Sequence, residues 1–375
     1  MPKFTFDSDE LGRAFGIAKV VKPMAGDFAM RFDGDRLTVY SSDKRRYARA
    51  EVSAKSVDSL DSDYKSEEFY VAADRQTLLD SDLSTITISV GDKGISVRAE
   101  GDGQTRNATL KKRSDNSRRP PIPTAPDLSS AVRVKARLFE ELLRQVSCSA
   151  QVKETKTDED MKVNQVHFYS QHGCAMSTAR FFGSAAMLPG LGLDLSVVSA
   201  DLPTMRAFCS RLSDADVLVH QDKSHMYLGD PQTGSFLCFS RVASNKPPFS
   251  LLSEDGYDVV VHADQAKLVK ALQWANMAIE GTQRLSIRAA DGLMEFKNGS
   301  QEVSQLPVEI PVGTELKGDF PVRILQSVVG YFGEGNVALK YGHRDLKTVL
   351  EISEAAPPEP SAVRARHFLQ SMKER

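Results

Sequence analysis

No CxxC pair, no HExxH helix, no GxSxG elbow and no GxxxxGK[ST] loop occurs in the 375 residues of this chain. Each absence excludes something. The four cysteines, Cys148, Cys174, Cys209 and Cys238, are scattered, which suits a reducing compartment and speaks against a zinc site. The nearest thing to a phosphate loop, GDGQTRN from Gly101, lacks the lysine and follows a strand with no helix after it. Without a metal-binding His pair or a nucleophile elbow, catalysis has no support. Three DSD triplets, at 7–9, 61–63 and 80–82, suggest a metal at first sight. They recur at helix starts and turns, where Asp and Ser cap backbone amides, so no metal and no cofactor is expected. No apolar run approaches the length that spans a bilayer, and the opening MPKFTFDSDE lacks a signal-peptide core. A cytoplasmic protein with no membrane partner is expected. Lys and Arg (48) nearly balance Asp and Glu (50), which leaves room for local patches of either sign.

What the chain does contain is a threefold repeat. FTFDSDELGRAF from Phe4 is echoed by VRVKARLFEELLRQV from Val132 and VVVHADQAKLVKAL from Val259. Starts about 127 residues apart are too far apart for a solenoid and mark whole domains. The expected division is 1–123, 124–252 and 253–353, with a tail at 354–375. Each third reads as two units of strand, short helix and alternating strands, an α+β plan in which strands outnumber helices. In the first, Leu11, Phe15 and Ala18 form a helical stripe behind an Asp7/Ser8 start signal. Met30 and Phe32 then alternate to a Gly34-Asp35 turn, and Leu37 and Val39 alternate back. A second helix is expected behind Asp74, carrying Leu78, Leu79 and Leu83. In the middle third, Pro203 sits just inside a helix capped by Asp201. Residues 111–130 are basic and Pro-rich and read as a linker. The tail opens EAAPPEPSA, and its end, VRARHFLQSMKER, reads as a basic amphipathic helix or a disordered end.

Three segments then carry a family resemblance. LTVYSSDKRRYARAEV (37–52), FSRVASNKPPF (239–249) and GDFPVRILQSVVGYFGEGNVALKYG (318–342), set in the repeat plan, resemble the bacterial sliding clamp, the beta subunit of DNA polymerase III. The resemblance covers roughly residues 1–353. Ala179 stands where the family has an acidic residue, and the chain runs on past the usual end; both fit a divergent or phage-encoded member. The resemblance implies the DNA-clamp fold, closed head to tail into a six-domain ring as a homodimer. It also implies duplex DNA held without regard to sequence, and a replicative polymerase and a clamp loader as protein partners.

On this reading the polar helix faces line the hole: Arg13, Lys19, Arg137, Arg144, Arg206, Arg211, Lys267, Lys270 and Arg323. A basic lining attracts phosphates without reading bases; each of these residues also reads as part of an ordinary solvated face. The resemblance places the contact between copies near Asn107 and Thr109 on one side and Met277 and Ile279 on the other. Trp274 shares a stripe with Lys267 and Lys270 and reads either as a stacking platform for nucleic acid or as packing at that boundary. A pocket for a short apolar partner peptide is implied at Val163, Thr178, Arg180, Phe181, Pro247, Phe249, Leu251 and Ile352, where core packing is the competing reading. The alternative function is a non-enzymatic scaffold that binds proteins without encircling DNA.

Overall fold

The computed structural model describes residues 1–23, 26–43, 45–59, 67–72, 82–91, 94–111, 125–150, 164–179, 182–212, 215–243, 257–278, 284–344, 347–355 and 362–370. Its described helices are α1 (Ser8–Ala18), α2 (Ala136–Ser147), α3 (Leu202–Leu212), α4 (Gln265–Ala278) and α5 (Val322–Val329). The repeat is visible as strands that run straight into helices. Lys3–Asp7 enters α1, Val132–Lys135 enters α2 and Val259–Asp264 enters α4. At the first junction the Asp7 carboxylate accepts from the backbone N–H of Asp9 at 2.9 Å and also from that of Glu10, satisfying two of the helix's orphan donors. Lys55 donates to the same carboxylate, and together these bonds hold it below the ordinary aspartate range.

Strand pairing repeats in the same way. The first strand of each third pairs, antiparallel, with the strand that follows the second helix position: Lys3–Asp7 with Thr85–Gly91, Val132–Lys135 with Asp216–Gln221, Val259–Asp264 with Asn336–Arg344. The strand after each first helix pairs with the strand leading towards the second: Asp27–Asp33 with Glu67–Ala72, Gln165–Tyr169 with Ser196–Val198, Arg284–Ala290 with Leu316–Pro321. The expected second helix of the first third, behind Asp74, falls outside the described residues, as does most of the expected linker. Leu83, expected on that helix, is described and buried.

The chain forms two compact units, Met1–Arg137 with Pro203–Arg241, and Leu138–Leu202 with Val242–Arg375. The middle third therefore contributes to both. In the first unit the reason is a strand pairing: Phe236–Ser240 lies beside Arg46–Ser53, with Cys238 opposite Tyr47. This makes one eight-stranded sheet, and a five-stranded sheet runs Ser56–Asp58, Lys3–Asp7, Thr85–Gly91, Gly94–Gly101, Gln104–Lys111. Leu11, Phe15 and Ala18 of α1 are buried, each large apolar side chain there contributing on the order of 2 kcal/mol.

The second unit holds an eight-stranded sheet and a four-stranded sheet in the order Gln301–Pro307, Leu293–Asn298, Arg284–Ala290, Leu316–Pro321. Leu268, Leu272 and Ala275 of α4 and Leu325, Val328 and Val329 of α5 share its core. One expectation is overturned here. The described part of the expected tail, 362–370, is neither an appendage nor a helix. Arg364–Gln370 is a strand inside the eight-stranded sheet, paired on one side with Phe182–Met187 and on the other with Lys347–Glu354. Ala365, Arg366, His367, Phe368 and Leu369 are all buried. A strand covered on both faces satisfies its backbone on both edges, which an exposed amphipathic helix could not better.

Candidate nucleic-acid interface

In the first unit α1 carries Arg13 with Lys19 at its C-cap, and α3 carries Arg206 and Arg211. The Arg211 guanidinium lies over α1, with a nitrogen 3.5 Å from where a Cβ on Gly16 would sit. A Cβ at that point would make only an ordinary contact with it. Lys19 and Arg211 are exposed, while Arg206 and Arg13 are half-buried. Arg13 is not a free cation: its Nη2 donates to Asp230, a carboxylate with no exposed surface. Asp230 also accepts from Thr233 Oγ1 at 2.8 Å and the Gln232 amide at 2.9 Å. Arg13 borders a cavity of about 290 Å³ with Arg36, Glu51 and Ser235. Arg46 joins this group without having been singled out in the sequence. It pairs with Asp43 at 2.6 Å and donates to Thr204 Oγ1 of α3 at 3.0 Å. Its only advance sign was its place in the basic run of the 37–52 segment. Arg137, at the start of α2, is exposed.

In the second unit Lys267, Lys270 and Arg323 are exposed. Arg144 is bound on three sides. It donates to Glu141 from Nε at 2.7 Å and from Nη2 at 2.6 Å, and to the Tyr331 carbonyl at 2.9 Å, with its guanidinium 5.5 Å from the Tyr331 ring centre. The Glu141 contact raises its already high pKa further. Two of its nitrogens, Nε and Nη2, are thus engaged within the protein.

The expected contact residues lie on open edges. Asn107 and Thr109 are exposed on Gln104–Lys111, an edge of the five-stranded sheet among the described residues. Trp274 is 61% and Met277 71% exposed, an unusual display of apolar surface. Helix α4, which carries both, packs on Gln301–Pro307, a free edge of the four-stranded sheet. Ile279 lies outside the described residues.

No family model matches the sequence, and no curated protein sequence does. Solved structures match over the full length. The beta subunit of DNA polymerase III from Thermotoga maritima is 13% identical with a TM-score of 0.77, each chain covered in full. The corresponding subunit from Pseudomonas aeruginosa is 16% identical with a TM-score of 0.78, over 99% of this chain and all of that one. The Caulobacter crescentus beta sliding clamp is 15% identical with a TM-score of 0.76, each chain again covered in full. The chain has the fold of the bacterial sliding clamp.

Within that clamp fold, only two of the expected pocket residues are described. Thr178 is half-buried and pairs with Gly183. Ile352 is fully buried in the hydrophobic core, so its side chain packs inward rather than lining an opening. Val163, Arg180, Phe181, Pro247, Phe249 and Leu251 lie outside the described residues.

Sequence reasoning missed the polar groups that seat the last strand. Glu351, with no exposed surface, accepts from Arg366 Nε at 2.9 Å, from the Tyr257 hydroxyl, and from Lys340 Nζ at 3.3 Å. Burial alone would raise the Glu351 carboxyl, but Arg366, Tyr257 and Lys340 outweigh it and hold it below its ordinary value. His367 is fully buried. Its Nδ1 lies 2.8 Å from Ser184 Oγ and its Nε2 3.2 Å from Gln145 Oε1. Burial, reinforced by the Arg144 charge, lowers its pKa to about 3, so the ring is neutral. Among the described residues no cluster of His, Cys, Asp or Glu could hold a metal, and no helix is long and apolar enough to cross a membrane.

Proposed function

We propose that this chain is a DNA sliding clamp, a processivity factor that encircles duplex DNA and tethers a replicative polymerase to it after a clamp loader has opened the ring. The observation that carries the proposal is the full-length agreement in fold with beta sliding clamps, read with the basic helix faces of both units. Three domains, at 1–123, 124–252 and from 253 to the strand ending at Gln370, would complete a six-domain ring as a homodimer. A head-to-tail contact that closes needs two unlike, complementary surfaces. The free edge Gln104–Lys111 of one copy would continue the sheet at Gln301–Pro307 of the other, with Trp274 and Met277 buried beside it, removing two open edges at once.

Arg137, Arg211, Lys267, Lys270 and Arg323, exposed and on helices, and Lys19, exposed at the end of α1, would give loose, salt-sensitive contact with phosphates. Arg13, Arg144 and Arg206 contribute after exchange of, or beside, their internal partners. The partner peptide would dock near Thr178, Arg180 and Phe181. Its setting would be the cytoplasm of a bacterial cell, with the gene belonging to the cell or to a phage. The chain itself performs no chemistry on this reading.

The test is topological. Loaded on a nicked circle by a loader, the protein should stay bound until the circle is cut, then run off the ends. Equal retention on circular and linear DNA would exclude encirclement and favour a scaffold that binds DNA or proteins from one side.

A further inference from the structure

The first helices of the three thirds can be set in register from the strands that enter them. Those strands end on Asp7, Lys135 and Asp264, paired with Thr85, Asp216 and Asn336. The fourth residue onward is Leu11, Phe139 or Leu268, and the eighth is Phe15, Leu143 or Leu272, all buried. The tenth is Ile17, Gln145 or Trp274. Ile17 is 1% and Gln145 3% exposed, against 61% for Trp274. The thirteenth repeats the contrast: Val20 and Cys148 are half-buried, whereas Met277 is 71% exposed. One helix face is covered in the first two thirds and bare in the last.

What covers that face can be traced through the strand pairings. In each third a straight ladder crosses four strands: Phe4, Ile88, Val97, Ala108 in the first; Val132, Val219, Leu228, Leu237 in the second; Val261, Leu339, Ile352, His367 in the third. Ala108, Leu237 and His367 therefore hold one position on three equivalent strands. Leu237 pairs with Ala48 and His367 with Ser184, so each of these two strands joins the third before it. The helix of that preceding third meets the ladder's end: Gln145 Oε1 lies 3.2 Å from His367 Nε2. The corresponding residues of the first unit, Ile17 and Leu237, are both buried. Ala108 is half-buried, on a strand that ends its sheet among the described residues.

We propose that Trp274 of one copy seats on Ala108 of a second copy, and that this pair selects which domains join. The proposal rests on the head-to-tail reading of the sliding-clamp fold. Backbone pairing is common to all three junctions and cannot tell three similar domains apart; side-chain size can. Ile17 with Leu237, and Gln145 with His367, each set two mid-sized side chains at the junction. At the bare face the largest side chain waits for one methyl group. Trp274 over a leucine or a histidine would overpack. Ile17 or Gln145 over Ala108 would leave a void. Each helix thus fits its own following strand and penalises the other two, which is discrimination by misfit as well as by fit. The indole gains burial that only a second chain supplies.

The experiment follows association of the full chain by sedimentation across a concentration series, with intrinsic fluorescence read in parallel, since Trp274 is the only tryptophan. In the wild type the emission should move to shorter wavelength as dimers form. Ala108→Leu and Trp274→Ile should each weaken association by about tenfold or more. Combined in one chain they reproduce the pairing of Ile17 with Leu237, and the dissociation constant should return to within about threefold of the wild type. An equimolar mixture of the two single variants should associate better than either alone, because its two junctions are one native pair and one exchanged pair. Both positions lie at the surface of the single chain, so thermal melts of dilute protein should match the wild type and separate lost association from lost folding. Single variants that associate like the wild type overturn the pair and leave the ring reading intact. So do losses that add in the double variant, and dimers whose emission stays at the wavelength of an exposed indole. A wild type that stays monomeric at every concentration overturns the head-to-tail ring and the pair with it.

Discussion

Glu351 is a carboxylate without exposed surface whose neighbours include one guanidinium, one ammonium and one phenol. Removing a single partner from such a site strands a charge in a poorly hydrated interior. Arg366→Met should therefore cost about 3–5 kcal/mol in urea unfolding. The double variant with Glu351→Leu should recover a large part of that loss, because nothing charged is then left behind. His367 leads to a pH prediction. Folded, it takes up a proton only near pH 3; unfolded, it does so near about 6.5. Between those values the unfolded chain holds one proton more, so stability is complete at neutral pH and falls on acidification by about 1.4 kcal/mol per pH unit. Glu351, with its depressed carboxyl, adds to the loss only at the lower end of that range. Unfolding followed from pH 7 to pH 5 should show this slope in the wild type and lack it in His367→Gln.

At the scale of elements, the way Arg211 lies over α1 explains a tolerance. A methyl group on Gly16 would meet the Arg211 guanidinium at 3.5 Å, an ordinary contact. Gly16→Ala should raise stability by about 0.5–1 kcal/mol through helix propensity, and Gly16→Val should reverse the gain by displacing Arg211; thermal melts check both. Which elements were legible follows from their physics. The hairpin of Asp27–Asp33 with Arg36–Ser42 was legible from Met30, Phe32, Leu37 and Val39 around a turn that uses Gly34 at positive φ, although nearly every position of both strands is buried. The start of α1 was legible because Asp7 is a local cap. The last strand was not. Ala365, Phe368 and Leu369 fall at i, i+3 and i+4, a helical spacing, and Arg366 and His367 occupy buried positions where apolar residues would have revealed a strand. Their partners Glu351 and Gln145 are 15 and 222 residues away. The same distance hid the state of two basic residues: Arg13 meets Asp230 across 217 residues, and Arg144 meets the Tyr331 carbonyl across 187. Helix spacing groups charges on one side of a helix but does not tell which of them are already paired.

At the scale of the whole molecule, the exposed Trp274 and Met277 bear on assembly. On the proposed head-to-tail contact, Trp274→Glu together with Met277→Glu places two charges where apolar surface should be buried. Sedimentation at micromolar concentration should then report monomers where the wild type gives dimers, with the melting temperature of each monomer unchanged. Retention on circular DNA should disappear, while weak, salt-sensitive binding to linear DNA persists through the untouched lysines and arginines. The eight-stranded sheet of the second unit bears on something earlier than assembly. Its central member, Arg364–Gln370, is the only hydrogen-bonded link between Phe182–Met187 and Lys347–Glu354 among the described residues, and it follows both of them in the chain. Until it is in place, each of those flanking strands shows a bare edge. Folding of the second unit therefore passes through a stage in which its most adhesive strands await one that comes after them in the sequence.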